Sequence, residues 1–226
     1  MVTNLKRIVV IVGHYGSGKT NLAVNLALDI KKKTKDVVLV DLDIVNPYFR
    51  SADFQTLMEK HGIEMITPTY AKSNLDIPAL TGQLDAAICT QKHLIIDVGG
   101  DDAGAAALGR YSHEIEEAGG CDLLYVVNGY RYLTRTSKEA AEILQEIQKI
   151  SRLKVTGVVN NSNLADITTA DDVVSTHQFA LQTAQEYQVP LLFTSVKEDL
   201  AKQVKALMPG QKVYPVKIFV KKPWEE

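Results

Sequence analysis

The stretch that decides the fold is Ile8-Val9-Val10-Ile11-Val12-Gly13-His14-Tyr15-Gly16-Ser17-Gly18-Lys19-Thr20-Asn21. Residues 13–20 satisfy G-x-x-x-x-G-K-[ST], with an unbroken apolar run before them and a helix-competent Asn21–Leu28 after them. Glycines at 13, 16 and 18 allow the tight turn that aims successive N–H groups at phosphate oxygens. The following helix adds the partial positive charge of its N-terminus. A nucleotide's phosphates are therefore expected along Gly13, His14, Tyr15, Gly16, Ser17, Gly18, Lys19, Thr20 and Asn21. In this pattern Lys19 reaches the β- and γ-phosphates and the Thr20 hydroxyl ligates Mg2+.

Outward from this loop, short β-branched runs alternate with helical patterns. The expected strands are Arg7–Val12, Val37–Asp41, His93–Val98, Leu123–Val127, Val155–Val159 and Leu191–Ser195. Helical spacing marks Lys19–Lys33, Thr136–Ile150 and Asp171–Tyr187; Ala140, Ile143, Leu144, Ile147 and Ile150 form one apolar stripe. The strands lack in/out alternation, as parallel strands covered on both faces do. The expected fold is α/β: one doubly wound, mostly parallel sheet with helices on both faces. A single domain over 1–226 is expected, with a further strand near Ile63–Thr67 and a loosely attached edge strand and tail at 213–226, where Pro215 and Pro223 fall.

Composition narrows the class. With 25 basic against 27 acidic side chains the net charge is −2, which argues against a general DNA binder. No apolar run reaches the ~18–20 residues that span a bilayer. Cys89 and Cys121 stand alone, so neither a disulfide framework nor a zinc site is indicated and a cytoplasmic location is expected. The histidines have no metal-binding spacing.

Two apolar runs end in acids: Val37–Val40 leads into Asp41-Leu42-Asp43, and Leu94–Ile96 into Asp97-Val98-Gly99-Gly100. Carboxyl ends of parallel strands face the ligand crevice, which places these acids beside the phosphates. Asp97 is the expected Mg2+-side carboxylate, and Gly100 closes a D-x-x-G run whose N–H can sense a γ-phosphate.

In motif order over residues 6–200 the chain resembles the MinD/ParA-type ATPases, a group allied to nitrogenase iron protein, arsenical-pump ATPase and dethiobiotin synthetase. The resemblance rests on the phosphate loop, Asp41-x-Asp43, Asp97-x-x-Gly100 and Leu22-Ala23-Val24-Asn25-Leu26-Ala27. It implies an ATP-driven switch, with Lys19, Asp43 and Asp97 catalytic and Thr20, Asp41 and Asp97 around Mg2+. It further implies that Asp43 orients the hydrolytic water, that 97–104 form a second switch, and that a homodimer encloses ATP or ADP. A protein partner is left open. The chain departs from the resemblance at His14, where relatives carry a lysine that crosses the dimer, and in the acidic pair Asp101-Asp102. Arg50 and Arg110 are weak alternative cations, each read first as surface charge.

The strand at 155–159 leads into Asn160-Asn161-Ser162-Asn163. An amide can pair with adenine. An N-K-x-D loop for guanine would need a carboxylate where Asn163 stands, so ATP is favoured over GTP. The resemblance implies Asn161 as the base contact, with Asn160, one residue off, still possible and an asparagine-rich turn the alternative. Val196 and Lys197 are expected near the other face of the base. Tyr130-Arg131-Tyr132 with Arg135, again at the carboxyl end of a strand, reads first as a helix-start loop, with stacking on a base, binding of an anionic partner or a small-carboxylate pocket as the alternatives. Convergence there would favour a dethiobiotin-synthetase-like phosphotransferase; a non-hydrolysing ATP sensor is the third reading. Lys31, Lys32, Lys33 and Lys35 read as a solvated helix end.

Overall fold

The computed structural model describes residues 5–34, 36–43, 54–67 and 82–219. Lys35, Arg50 and the end of the tail lie outside them. Eight strands form one sheet: β1 (Ile8–Val12), β2 (Val37–Leu42), β3 (Glu64–Ile66), β4 (His93–Val98), β5 (Asp122–Val127), β6 (Gly157–Asn160), β7 (Leu191–Lys197) and β8 (Val213–Val216). Their order is β3-β2-β4-β1-β5-β6-β7-β8, and each neighbouring pair is parallel. The continuous apolar runs carry this result, because both faces of every central strand are buried.

Successive residues of each strand enter opposite cores. Ile8, Val10 and Val12, with Val38, Val40, Leu94 and Ile96, meet α3 (Gln83–Ile88), α4 (Asp102–Gly109), α5 (Ser112–Glu117), α6 (Ser137–Ser151) and α8 (His177–Glu186). Val9, Ile11, Leu39 and Ile95 meet α1 (Lys19–Lys31) and α2 (Gln55–Lys60). A smaller cluster joins α7 (Ala170–Ser175) and α9 (Ala201–Leu207) to Val196 and Val213. Among the described residues no helix is long and apolar enough to cross a membrane.

Helix ends follow local chemistry. Thr136 and Glu139 form a reciprocal capping box at α6, and Arg152 ends that helix in a left-handed conformation. The expected helix Asp171–Tyr187 is instead two helices. Thr169 and Asp172 cap α7, and Thr176 interrupts the run with its hydroxyl turned back to the Val173 carbonyl at 2.8 Å.

The segment from 213 to 219 is held more firmly than its prolines suggested. Pro215 sits on an edge strand, where its missing N–H costs no ladder bond. Beyond β8, Asn25 donates to the Lys217 carbonyl and accepts from the Lys217 N–H, both at 2.9 Å. Asn21 donates to the same carbonyl at 3.0 Å and accepts from the Phe219 N–H at 2.8 Å. Two side-chain amides of α1 thus act as strand-like partners for backbone that would otherwise lack them.

Candidate functional site

The loop between β1 and α1 stands at the carboxyl end of a central strand, where a parallel sheet opens its ligand crevice. Gly16 and Gly18 have φ of 73° and 87°, in the left-handed region. At Gly18 a side chain is excluded twice over, since its Cβ would overlap the Asn161 amide. Helix α1 starts there with no side-chain cap and no acid in its first turn. Helices α4, α6 and α7 carry both. The first N–H groups of α1 are thus left for an anion.

Lys19 is only 8% exposed, and its Nζ donates to the His14 carbonyl at 3.2 Å. Burial lowers its pKa, while Asp97, Asp43 and Asp101 pull it back up. His14, half-buried, is also lowered, first by burial and then by the charges of Lys19 and Arg131. It is therefore neutral at pH 7 and supplies no cation to the loop.

Strand register assembles the acids. Asp41 on β2 lies directly beside Asp97 on β4. Both are fully buried, and Asp43 is nearly so. The Asp41 carboxylate accepts the Asp43 N–H at 2.9 Å, which fixes the chain where it leaves the sheet. Neither Asp97 oxygen has a well-formed hydrogen bond. Its pKa rises to about 7, first from burial and then from Asp41; Lys19 and the nearby Thr20 hydroxyl offset part of the rise. Ser17 Oγ is likewise buried without a partner.

These orphaned atoms fit a Mg2+–nucleotide. Among the described residues no group of three or more His, Cys, Asp or Glu could hold a metal alone. Mg2+ takes one or two carboxylates and completes its shell with phosphates and water, and the neighbouring Asp41 and Asp97 could supply the carboxylates. Thr20, Asp41 and Asp97 are the residues that would hold it.

The chain leaving β4 packs on the loop. A Cβ on Gly100 would come within 2.6 Å of the Tyr15 backbone nitrogen and 3.0 Å of Lys19 Nζ, so only glycine permits this approach. Asp101 caps α4, accepting from the Gly104 N–H at 2.9 Å. That gives one carboxylate of the acidic pair a structural task.

The two asparagines part company. Asn160 is fully buried: its amide donates to Thr176 Oγ1 at 3.1 Å, and its oxygen accepts from the Ser162 N–H and hydroxyl. Its side-chain amide and oxygen, the groups expected at the base, are thus engaged in shaping the turn. Asn161 donates to the Ser17 carbonyl at 2.6 Å and accepts from Ser195 Oγ at 2.6 Å. One amide hydrogen and one lone pair remain to it. Ser195, which the sequence reading passed over, carried a signal: it falls at the carboxyl end of an apolar strand. Lys197 pairs with Asp199 at 3.3 Å on the surface. Asn21, expected at the phosphates, has its amide engaged by 217–219.

Residues 130–135 do not converge. The Tyr130 hydroxyl donates to the Asp172 carbonyl at 2.8 Å, Arg135 stacks on the exposed Tyr132 ring, and Arg131 turns to the loop. A groove of about 500 Å3 near Gln148, Arg152 and Val155 lies at the opposite end of the sheet, where β6 begins.

A parallel sheet carrying a glycine-rich anion cradle, with a buried lysine and paired carboxylates at its mouth, defines a P-loop nucleotide-binding protein. The chain belongs to the family described as the CobQ/CobB/MinD/ParA nucleotide binding domain, whose model matches residues 8–192. Among solved structures it is similar to the signal recognition particle 54 kDa protein from Aeropyrum pernix K1 in complex with GDP. Identity is 19% and TM-score 0.57, covering 85% of this chain and 42% of that one. It is similar to FtsY from Thermotoga maritima at 21% identity and TM-score 0.55, covering 84% and 62%. Chloroplast FtsY from Physcomitrella patens aligns at 20% identity and TM-score 0.57, covering 92% and 67%. These likenesses are of fold, and the chain spans less than two thirds of the first two proteins' lengths. A comparison with curated proteins finds no match.

Proposed function

We propose that this protein is a Mg2+-dependent ATP-binding protein that hydrolyses ATP slowly and dimerises in its nucleotide-bound state. The observation that carries the reading is the uncapped, glycine-built cradle with Lys19 at its floor and, at its edge, the buried Asp97 carboxylate, which lacks a well-formed hydrogen bond. In hydrolysis, a water oxygen forms a bond to the γ-phosphorus while the bond to the β–γ bridging oxygen breaks, yielding ADP and phosphate. Lys19 and the loop amides hold the charge on the phosphoryl oxygens. Asp43 orients the water. Thr20, Asp41 and Asp97 would hold Mg2+, which would supply positive charge against the phosphates.

Adenine over guanine rests on Asn163, which stands where a guanine-reading carboxylate would be needed; Asn161 keeps one donor and one acceptor for the base. Dimerisation is supported by exposed apolar side chains on the loops after β1, β5 and β6: Tyr15, Tyr132, Leu133, Leu164 and Ile167. A phosphotransferase pocket needed Tyr130, Arg131 and Arg135 to converge, and their side chains go three ways.

Calorimetric titration with Mg·ATP and Mg·GTP tests the reading, with light scattering on the same samples. Tighter ATP binding accompanied by a doubling of mass is the expected result. Asp43→Ala is expected to keep ATP affinity within about threefold while phosphate release falls at least about tenfold. Equal turnover in variant and wild type would move the water-orienting role elsewhere.

A further inference from the structure

We propose that Arg131 is a second phosphate-binding cation of the loop, supplied by the turn after β5 of the same chain. The inference rests on residues 13–20 being a phosphate cradle and adds a residue that the sequence places far from it.

Arg131 Nε donates to the Gly16 carbonyl at 2.8 Å across 115 residues of sequence. A Cβ on Gly16 would lie 3.2 Å from the Arg131 Cζ, so the guanidinium rests against the middle of the loop. Glycine there leaves the room. The residue's backbone is fixed: its N–H donates to the Asn128 carbonyl at 3.1 Å, and its carbonyl accepts from the Thr134 N–H at 3.1 Å. The neighbouring Tyr130 is anchored on α7.

A guanidinium has five N–H groups, of which this contact uses one. Among the described residues its Nη groups make no other hydrogen bond or ion pair. The fork is therefore held at the loop by Nε and open at its two terminal nitrogens, an arrangement that can meet phosphate oxygens bidentately.

Charge at the site calls for it. Asp41, Asp43 and Asp97 are buried at the crevice and Asp101 is close enough to act on Lys19. Against these and a polyanionic ligand stands one buried ammonium, since His14 is held neutral. Mg2+ would answer the carboxylates near Thr20. Arg131 approaches from Gly16 and answers the phosphates there.

Wild type, Arg131→Ala, Arg131→Lys and Lys19→Ala are titrated calorimetrically with Mg·ATP, Mg·ADP and AMP. Arg131→Ala is expected to bind Mg·ATP about ten- to fiftyfold more weakly, as loss of a charged hydrogen-bond pair does. The loss should shrink from ATP to AMP, and the melting temperature should not move. Arg131→Lys should recover only part, because an ammonium cannot hold Gly16 and fork onto phosphate together. Millimolar guanidinium should restore ATP affinity to Arg131→Ala where equimolar methylammonium does not. If wild type binds ATP, Lys19→Ala does not, and Arg131→Ala binds like wild type, the proposal for Arg131 is overturned and the cradle stands. Equal losses for ATP and AMP would make Arg131 a clamp on the loop and overturn it too. Wild type that binds no nucleotide would remove both.

Discussion

Replacing Lys19 by alanine is expected to abolish measurable ATP binding, a weakening of at least about a hundredfold, or ~2.7 kcal/mol. Lys19 is the only buried cation among the described residues, set in the cradle with Asp41, Asp43 and Asp97 around it. Without it, a triphosphate would enter a crevice whose nearest buried charges all repel it. The fold should survive at pH 6, because Asp97, already pushed to about 7, can take a proton and remain neutral in the core. At pH 8.5 the same variant should melt earlier than wild type, since the carboxylate then ionises with no lysine beside it. Calorimetry with Mg·ATP and thermal melts at the two pH values check both halves. An unchanged affinity would end the assignment of residues 13–20 to phosphate.

Asp97→Asn should do something opposite in character: stabilise the empty protein while removing the dependence of nucleotide binding on Mg2+. The sign follows from linkage. Asp97 holds its proton up to about pH 7 when folded, against 3.8 ordinarily, so the folded chain binds a proton that the unfolded chain has released. Its contribution to stability is complete below pH ~4, fades between ~4 and 7, and above 7 leaves a charged carboxylate buried beside Asp41. Asparagine has nothing to ionise. Urea denaturation without nucleotide should therefore show wild type losing stability relative to the variant from pH 5 to pH 8, by about 2–4 kcal/mol. Parallel stability curves would mean that Asp97 is solvated and lacks the burial that raises its pKa. Stability lost for a function is expected where like charges are gathered for a ligand.

Local patterns carried most of the fold. Ile8–Val12, Val37–Leu42 and His93–Val98 lie within a residue of where the apolar runs put them, because fully buried parallel strands leave an unbroken hydrophobic signal. Continuous helical periodicity hid the break at Thr176, whose cause is a hydroxyl bonding to its own helix and to Asn160. Asn160 and Asn161 look interchangeable in sequence, and only the strand end decides which amide turns inward. Strand order is not written in any one strand. It is what seats Asp41 against Asp97, a juxtaposition that no spacing along the chain displays. Arg131 was visible as a cation in a loop, but its place over Gly16 depends on β5 lying next to β1. Pro215 falls on the edge strand β8, but nothing within 213–219 itself reveals that two asparagines on another element hold it.

Those two asparagines join distant business. Asn21 and Asn25 occupy successive turns of the helix that opens at Gly18, and they grip the backbone at 217–219. The backbone at 217–219 is thereby pinned to the first two turns of that helix, beginning at the residue next to Thr20. Replacing both amides should therefore loosen the end of the sheet and the start of the phosphate-loop helix together.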